Sequence, residues 1–363
     1  MSPQVTEAMV LEALRKVKDP ELHRDVVSLK MIQDLKVEDS RVSFRFVLTT
    51  PACPVRGQLQ EAVQAAVAAI PGVKDVLVRM DAVVPSQKGV GGPREAIPGV
   101  KNTVAVASGK GGVGKSTVAV NLAAALAQTG AQVGLMDSDI HGPSIPLMMG
   151  VSRRPTADPQ TKKILPIENF GIKIMSIGFL LDSDNMPLIW RGPMVQQAVK
   201  QFLRDVAWGE LDYLIIDLPP GTGDAQLTLT QQVPLAGGVI VTTPQDLALL
   251  DAKKGLAMFL KVGVPVLGIV ENMSYFICPH CGGRTDIFSY GGGRQTAEKL
   301  GVPFLGEIPI DPEIRVGGDI GLPLVLAHPE SPQAEAFRRL ASAVAARVSI
   351  EAYREAVAQP AAG

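Results

Sequence analysis

Apolar residues change their spacing along the chain, and the changes divide it into three parts. From Glu7 to Val17 they recur at helical intervals. Val42-Ser43-Phe44-Arg45-Phe46-Val47-Leu48 alternates apolar with polar, as a half-buried strand does. Gln58 to Ile70 returns to helical spacing, and Val73 to Met80 reads as a further strand. A small α+β unit is therefore predicted over residues 1–84. Pro85 to Lys101 holds three prolines and four glycines without periodicity, the pattern of a linker over 85–101. From Asn102 onward, apolar runs alternate with helical stretches. Val104–Ala107, Gln132–Met136, Ile172–Gly178, Tyr213–Ile216, Val239–Val241, Val264–Val270 and Val302–Ile308 all read as strands. That alternation predicts, for 102–363, an α/β domain: a mostly parallel sheet with helices on both faces. Ser331 to Ala358 is a long alanine-rich helix. Its arginines are offset by Glu335, Glu351 and Glu355, which favours packing on the sheet over lying on lipid.

Composition narrows the class. The 363 residues are 46 % hydrophobic and 20 % charged, values of a globular protein with an ample core. A net charge of −1 gives no support to bulk binding of nucleic acid or anionic lipid, so neither is expected as a partner. Met1 to Glu7 lacks the basic start and apolar core of a secretory signal, and no apolar run is long enough to span a bilayer. Three cysteines, an odd number, argue for a reducing compartment, and a cytoplasmic location is expected.

The run Gly109-Lys110-Gly111-Gly112-Val113-Gly114-Lys115-Ser116-Thr117 follows the strand at 104–107 and opens a helix over 116–126. Strand, glycine-rich loop and helix together are what a phosphate-binding loop needs. The glycines allow backbone N–H groups to converge on phosphates, and the helix N-terminus adds its positive end. Lys115 is assigned to the β- and γ-phosphates of a nucleoside triphosphate and the Ser116 hydroxyl to Mg²⁺. Asp137 and Asp139 close one strand, and Asp217 closes another. Carboxylates at the carboxyl ends of parallel strands sit beside the ligand crevice. Asp137 and Asp139 are candidates for orienting or deprotonating the attacking water or holding Mg²⁺ through water, and Asp217 for the Mg²⁺ side. Leu218-Pro219-Pro220-Gly221-Thr222-Gly223-Asp224 supplies hinge residues after it.

Cys278-Pro279-His280-Cys281 admits three readings. An oxidising dithiol wants its first cysteine at a helix N-terminus, whereas Gly282-Gly283 follow here. A zinc site and an iron–sulfur site both need more ligands than one pair provides, and Cys53 belongs to the other unit. A two-fold homodimer would bring two identical pairs together and yield four thiolates. Four thiolates still leave zinc and iron–sulfur open. Cys53, in a turn between a strand and a helix, is either a thiol activated by the helix dipole or an inert core residue.

Lys110 directly after Gly109 resembles the deviant phosphate loop of the MinD, ParA and nitrogenase iron-protein group. With Asp137-Ser138-Asp139-Ile140-His141-Gly142-Pro143-Ser144, Arg191-Gly192-Pro193, the Asp217–Asp224 segment, Glu271-Asn272-Met273 and the cysteine pair, the chain resembles the Mrp/ApbC iron–sulfur carrier ATPases. Asp19-Pro20-Glu21-Leu22 and Thr49-Thr50-Pro51-Ala52-Cys53-Pro54 resemble the small, MIP18-like assembly domain that precedes such ATPases. The resemblance implies ATP as the nucleotide and an ATP-dependent homodimer in which Lys110 reaches the partner's nucleotide. It assigns Asn272 to adenine, and Pro309-Ile310-Asp311 is expected to border the same pocket. It also implies a labile [4Fe–4S] cluster on Cys278 and Cys281, passed with slow hydrolysis to apo iron–sulfur proteins and exchanged with assembly scaffolds. Zn²⁺ is the alternative occupant. The alternative functions are a positioning ATPase acting on DNA or membrane, and an electron-delivering reductase.

Overall fold

The computed structural model describes residues 5–86, 96–139, 142–180, 192–221 and 223–358. Ile140, His141, Arg191 and Thr222, which belong to segments singled out above, lie outside the described residues, as does most of the linker. The chain divides into two compact units, 1–85 with 352–363, and 86–351. The apolar pattern assigned everything after residue 102 to the second unit. No glycine or proline interrupts 333–358, so the sequence carries no mark of that division.

The first unit contains helix α1 (Glu7–Leu14), strands β1 (Ile32–Glu38) and β2 (Arg41–Leu48), helix α2 (Arg56–Ala68) and strand β3 (Asp75–Ala82). The sheet order is β1-β2-β3, with β1 antiparallel and β3 parallel to β2. Alternation in β2 turns Val42, Phe44 and Phe46 inward, where they meet Leu59, Val63 and Val67 from successive turns of α2. β1 escapes the alternation pattern because its register shifts between Gln33 and Lys36, where Asp34 takes a left-handed φ of 52°. Asp19 is buried in an Asx turn: its Oδ1 accepts from the N–H groups of Glu21 at 2.8 Å and Leu22 at 2.9 Å. Cys53 lies between β2 and α2. Burial pushes its thiol up to about 11, the opposite of the lowering a helix N-terminus would give.

The second unit begins with β4 (Val100–Ser108), α3 (Lys115–Gln128), β5 (Val133–Asp137) and α4 (Ile145–Met148). A short antiparallel ladder, β6 (Thr156–Ala157) with β7 (Ile164–Leu165), precedes β8 (Ile167–Asn169) and β9 (Ile172–Ser176). Then come α5 (Gly192–Arg204), β10 (Leu211–Asp217), α6 (Asp224–Gln232), β11 (Gly237–Thr242), α7 (Asp246–Lys261) and β12 (Val266–Glu271). A two-residue hairpin, β13 (Phe276–Ile277) and β14 (Arg284–Thr285), leads to α8 (Gly292–Leu300) and β15 (Phe304–Glu307). Helices α9 (Pro312–Ile320), α10 (Leu324–Ala327) and α11 (Pro332–Ala358) complete the chain.

The main sheet runs β15-β12-β11-β4-β10-β5-β9-β8, parallel except for the edge strand β8. Its central strands are apolar on both faces, and Val104, Ala105, Val106, Ala107, Leu214, Ile215 and Ile216 are fully buried. Each larger aliphatic side chain among them contributes about 1.5–3 kcal/mol by leaving water. In α11, Phe337, Leu340, Val344 and Val348 form one buried stripe. No helix among the described residues is long and apolar enough to cross a membrane.

Candidate functional site

The site is built at the carboxyl ends of the central strands, where register decides which side chains meet. β10 lies between β4 and β5, pairing Asp217 with Val106 on one side and with Asp137 on the other. Asp137 in turn pairs with Ser176 of β9. The loop after β4 therefore closes directly over two aspartates.

Two glycines of that loop are required for different reasons. A Cβ on Gly109 would stand 2.2 Å from the backbone oxygen of Asp251, within α7. Gly114 has a φ of 78°, and a Cβ there would stand 2.2 Å from the Asn272 amide nitrogen. That amide donates to the Val113 carbonyl at 2.9 Å, tying the end of β12 to the loop.

Lys115, 6 % exposed, directs its ammonium onto Asp217 Oδ1 at 2.6 Å, with Asp139 Oδ2 at 3.8 Å. Ser116 Oγ donates to Asp217 Oδ2 at 2.6 Å. Burial pushes the Asp217 carboxyl up, and the Lys115 charge and the Ser116 hydroxyl pull the other way. Asp137 is fully buried with both oxygens engaged. Oδ1 accepts from the Asp139 N–H at 3.0 Å, and Oδ2 from Ser176 Oγ at 2.9 Å and the Ile145 N–H at 3.2 Å. Burial, then the neighbouring Asp217 charge, pushes Asp137 up to about 7. The three aspartates named from sequence are thus brought together, Asp139 and Asp217 facing Lys115 and Asp137 bonded to the Asp139 N–H.

Beside the loop opens a cavity of about 750 Å³, lined by Thr117, Asn272, Phe276, Ile310, Asp311 and Arg315 among others. Its position beyond the phosphate loop and its size suit a nucleobase and its sugar. Asn272 and the Pro309–Asp311 segment, expected at the base, both line it.

Cys278 and Cys281 lie in the turn of the β13–β14 hairpin, the first half-buried and the second exposed. The Cys278 N–H donates to the Gly283 carbonyl at 2.9 Å and the Gly282 N–H to the Cys278 carbonyl at 2.8 Å. Backbone N–H groups of Cys281, then His280, hold the Cys278 thiol below the usual range. Helix is absent from this turn, as the paired glycines predict. Among the described residues, no three His, Cys, Asp or Glu side chains gather as a metal-ligand set.

Several contributors escaped the sequence. Ser176 holds Asp137 from a neighbouring strand. Glu271, fully buried, accepts from Ser274 Oγ at 2.6 Å and from the Gly293 N–H at the start of α8. Its place at a strand end, one residue before Asn272, was the available signal. Phe276, two residues before a cysteine, gave none for its place in the cavity wall.

Residues 99–345 match the model of the NUBPL iron-transfer P-loop NTPases, and residues 7–79 match that of iron–sulfur cluster assembly proteins. An iron-sulfur cluster carrier protein of Synechocystis sp. is 53% identical over 352 residues, covering 96% of this chain and 99% of its own. The iron-sulfur cluster carrier protein of Escherichia coli is 44% identical over 347 residues, covering 96% and 94%. Among solved structures, a nucleotide-binding protein in complex with ADP from Archaeoglobus fulgidus is similar with a TM-score of 0.58 and 42% identity. It covers 66% of this chain and 93% of that one. Phosphate loop, acidic strand ends and cysteine hairpin all fall within the matched span, and the chain belongs to the NUBPL iron-transfer P-loop NTPases.

Proposed function

We propose that this protein is an ATP-binding carrier that holds a [4Fe–4S] cluster as cargo between two copies of itself and passes it to apo-proteins. The observation that carries this reading is the hairpin. It presents two thiols, that of Cys278 on backbone N–H groups, and no set of three metal-ligating side chains gathers there among the described residues. A two-fold pair of hairpins supplies the four thiolates a cluster takes. The names of the relatives and the ADP-bound neighbour support the same assignment.

In this reading the backbone of Gly109–Thr117 cradles the phosphates and Lys115 turns from Asp217 to the β- and γ-phosphates. Ser116 Oγ and the Asp217 carboxylate, a hydroxyl and a hard anion 2.6 Å apart, form a donor set that fits Mg²⁺. When bound, that ion neutralises charge on the transferring phosphoryl group. Asp139 orients the attacking water, because its carboxylate faces Lys115 while Asp137 spends both oxygens on protein groups. Asp137 positions Asp139 through its N–H. Asn272 reads adenine, and Lys110 reaches the partner's nucleotide across the two-fold axis. Hydrolysis is slow and coupled to transfer, in the cytoplasm, with apo iron–sulfur proteins and assembly scaffolds as partners.

Anaerobic reconstitution followed by absorption and Mössbauer spectroscopy tests the reading. The wild-type protein takes up about four irons per dimer. Cys278→Ala loses them while ADP affinity stays within about twofold. Zinc without sulfide in anaerobically purified protein, or a cluster retained by Cys278→Ala, would overturn the assignment.

A further inference from the structure

The cavity beside the phosphate loop and the cysteine hairpin share a wall. Phe276 lines the cavity and is also the first residue of the hairpin, paired with Thr285, while Ile277 pairs with Arg284. Cys278 follows at once. The root of the hairpin is pinned on three sides. The Tyr275 carbonyl accepts from the Ile310 N–H at 2.7 Å, and the Ser274 N–H donates to the Ile308 carbonyl at 2.9 Å. The Arg284 guanidinium stacks 4.1 Å from the centre of the Tyr275 ring and lies 3.5 Å from Glu307 at the end of β15. Glu271 closes the excursion, taking Ser274 at its entry and Gly293 at its exit. The chain that leaves β15 at Glu307 runs on into Ile310 and Asp311, which line the same cavity. A group that fills the cavity therefore presses on the strand that leads into the thiol-bearing turn and on the segment that anchors it.

We propose that the hairpin senses the nucleobase: a purine in the cavity packs against Phe276, orders the hairpin and shields Cys278 and Cys281. Nucleotide occupancy thereby sets how readily the thiols are reached, whether by metal or by a receiving protein. The proposal rests on the carrier reading for its purpose, but the coupling is a property of the chain without any cluster. Phe276 is a positioning residue in this scheme, and the phosphate contacts do not involve it.

The test uses the full chain, reduced and freed of metal, with iodoacetamide as the probe and peptide-resolved mass spectrometry as the readout. Saturating ADP slows alkylation of Cys278 and Cys281 about fivefold or more, the lower end of ordinary coupling between sites. Cys53 serves as an internal reference. Phe276→Ala binds ADP more weakly, having lost its packing against the base, yet at ADP concentrations that saturate it, its alkylation responds by less than about twofold. Phe276→Leu, which keeps apolar surface against the base, falls between the two. Should the alanine variant fail to fold, hydrogen exchange of the hairpin amides in the wild-type chain decides, slower exchange with ADP supporting the proposal and unchanged exchange overturning it. Full protection in Phe276→Ala, or none in a wild-type protein that binds ADP, overturns the coupling and leaves the carrier reading standing. Absence of ADP binding would overturn the nucleotide reading and the coupling with it.

Discussion

Replacing Asp217 by Asn isolates the charge at the centre of the site. Asn has nearly the same volume, its Oδ1 can accept from Lys115, and its amide can donate to Ser116 Oγ once that hydroxyl rotates. Both side-chain contacts can be kept, the one to Ser116 with its direction reversed, and the main change is the lost negative charge. Two effects then oppose each other. The variant no longer buries a fully enclosed carboxylate, which favours it. Lys115, 6 % exposed, loses the partner 2.6 Å away, which does not. Removing one member of a buried pair costs about 3–5 kcal/mol, so the second effect wins. The loss falls near about 3 kcal/mol, the low end of that range, because Asp139 Oδ2 still stands 3.8 Å from the ammonium. For a unit of this size that lowers the midpoint of nucleotide-free protein by about 6–12 °C in calorimetry. The same charge balance predicts a gain in binding. Phosphate offers Lys115 an anion, and in the variant the lysine leaves no carboxylate behind. ADP measured by titration calorimetry in EDTA should therefore bind about tenfold more tightly to Asp217→Asn than to wild type. With Mg²⁺ present the advantage disappears, because the carboxylate on the metal side is gone. A nucleotide-free midpoint within about 2 °C of wild type, together with unchanged or weaker ADP binding in EDTA, would refute the account of Lys115 and Asp217 as a charge lock.

Gly109→Ala should lower ADP affinity about tenfold or more, since its Cβ meets the Asp251 backbone, which cannot rotate aside; affinity within twofold of wild type in calorimetry would show that α7 yields. Cys53 should be the slowest of the three thiols to alkylate. With its thiol near 11 against an ordinary 9.0, it carries about a hundredth of the usual thiolate at pH 8. Because burial disfavours the charged form, its labelling should rise about tenfold per pH unit toward pH 11, whereas Cys278 labels early. Mass spectrometry finding Cys53 labelled as fast as Cys281 at pH 8 would contradict this.

What the amino-acid sequence determined by itself was the order of elements in the second unit and the chemistry each one ends in. Continuous apolar runs are buried on both sides, and residues with one backbone role, such as glycine before a helix, act within a few positions of themselves. The phosphate loop, the acidic ends at Asp137 and Asp217 and the helix-free turn at Cys278 were legible for that reason. Strand β1 was not, because a bulge at Asp34 breaks the alternation by which strands announce themselves. The state of Cys53 was open in the sequence, and only packing decided that burial outweighs any nearby dipole. Asp137 and Asp139 were likewise equal on paper. Parallel register sets Asp137 beside Ser176 and leaves Asp139 facing Lys115, a distinction that depends on which strands become neighbours. The shared wall at Phe276 belongs to the same class. Local propensity acts over a few residues, whereas a cavity joins positions more than 150 residues apart, and only the folded sheet brings Thr117 and Phe276 to one surface.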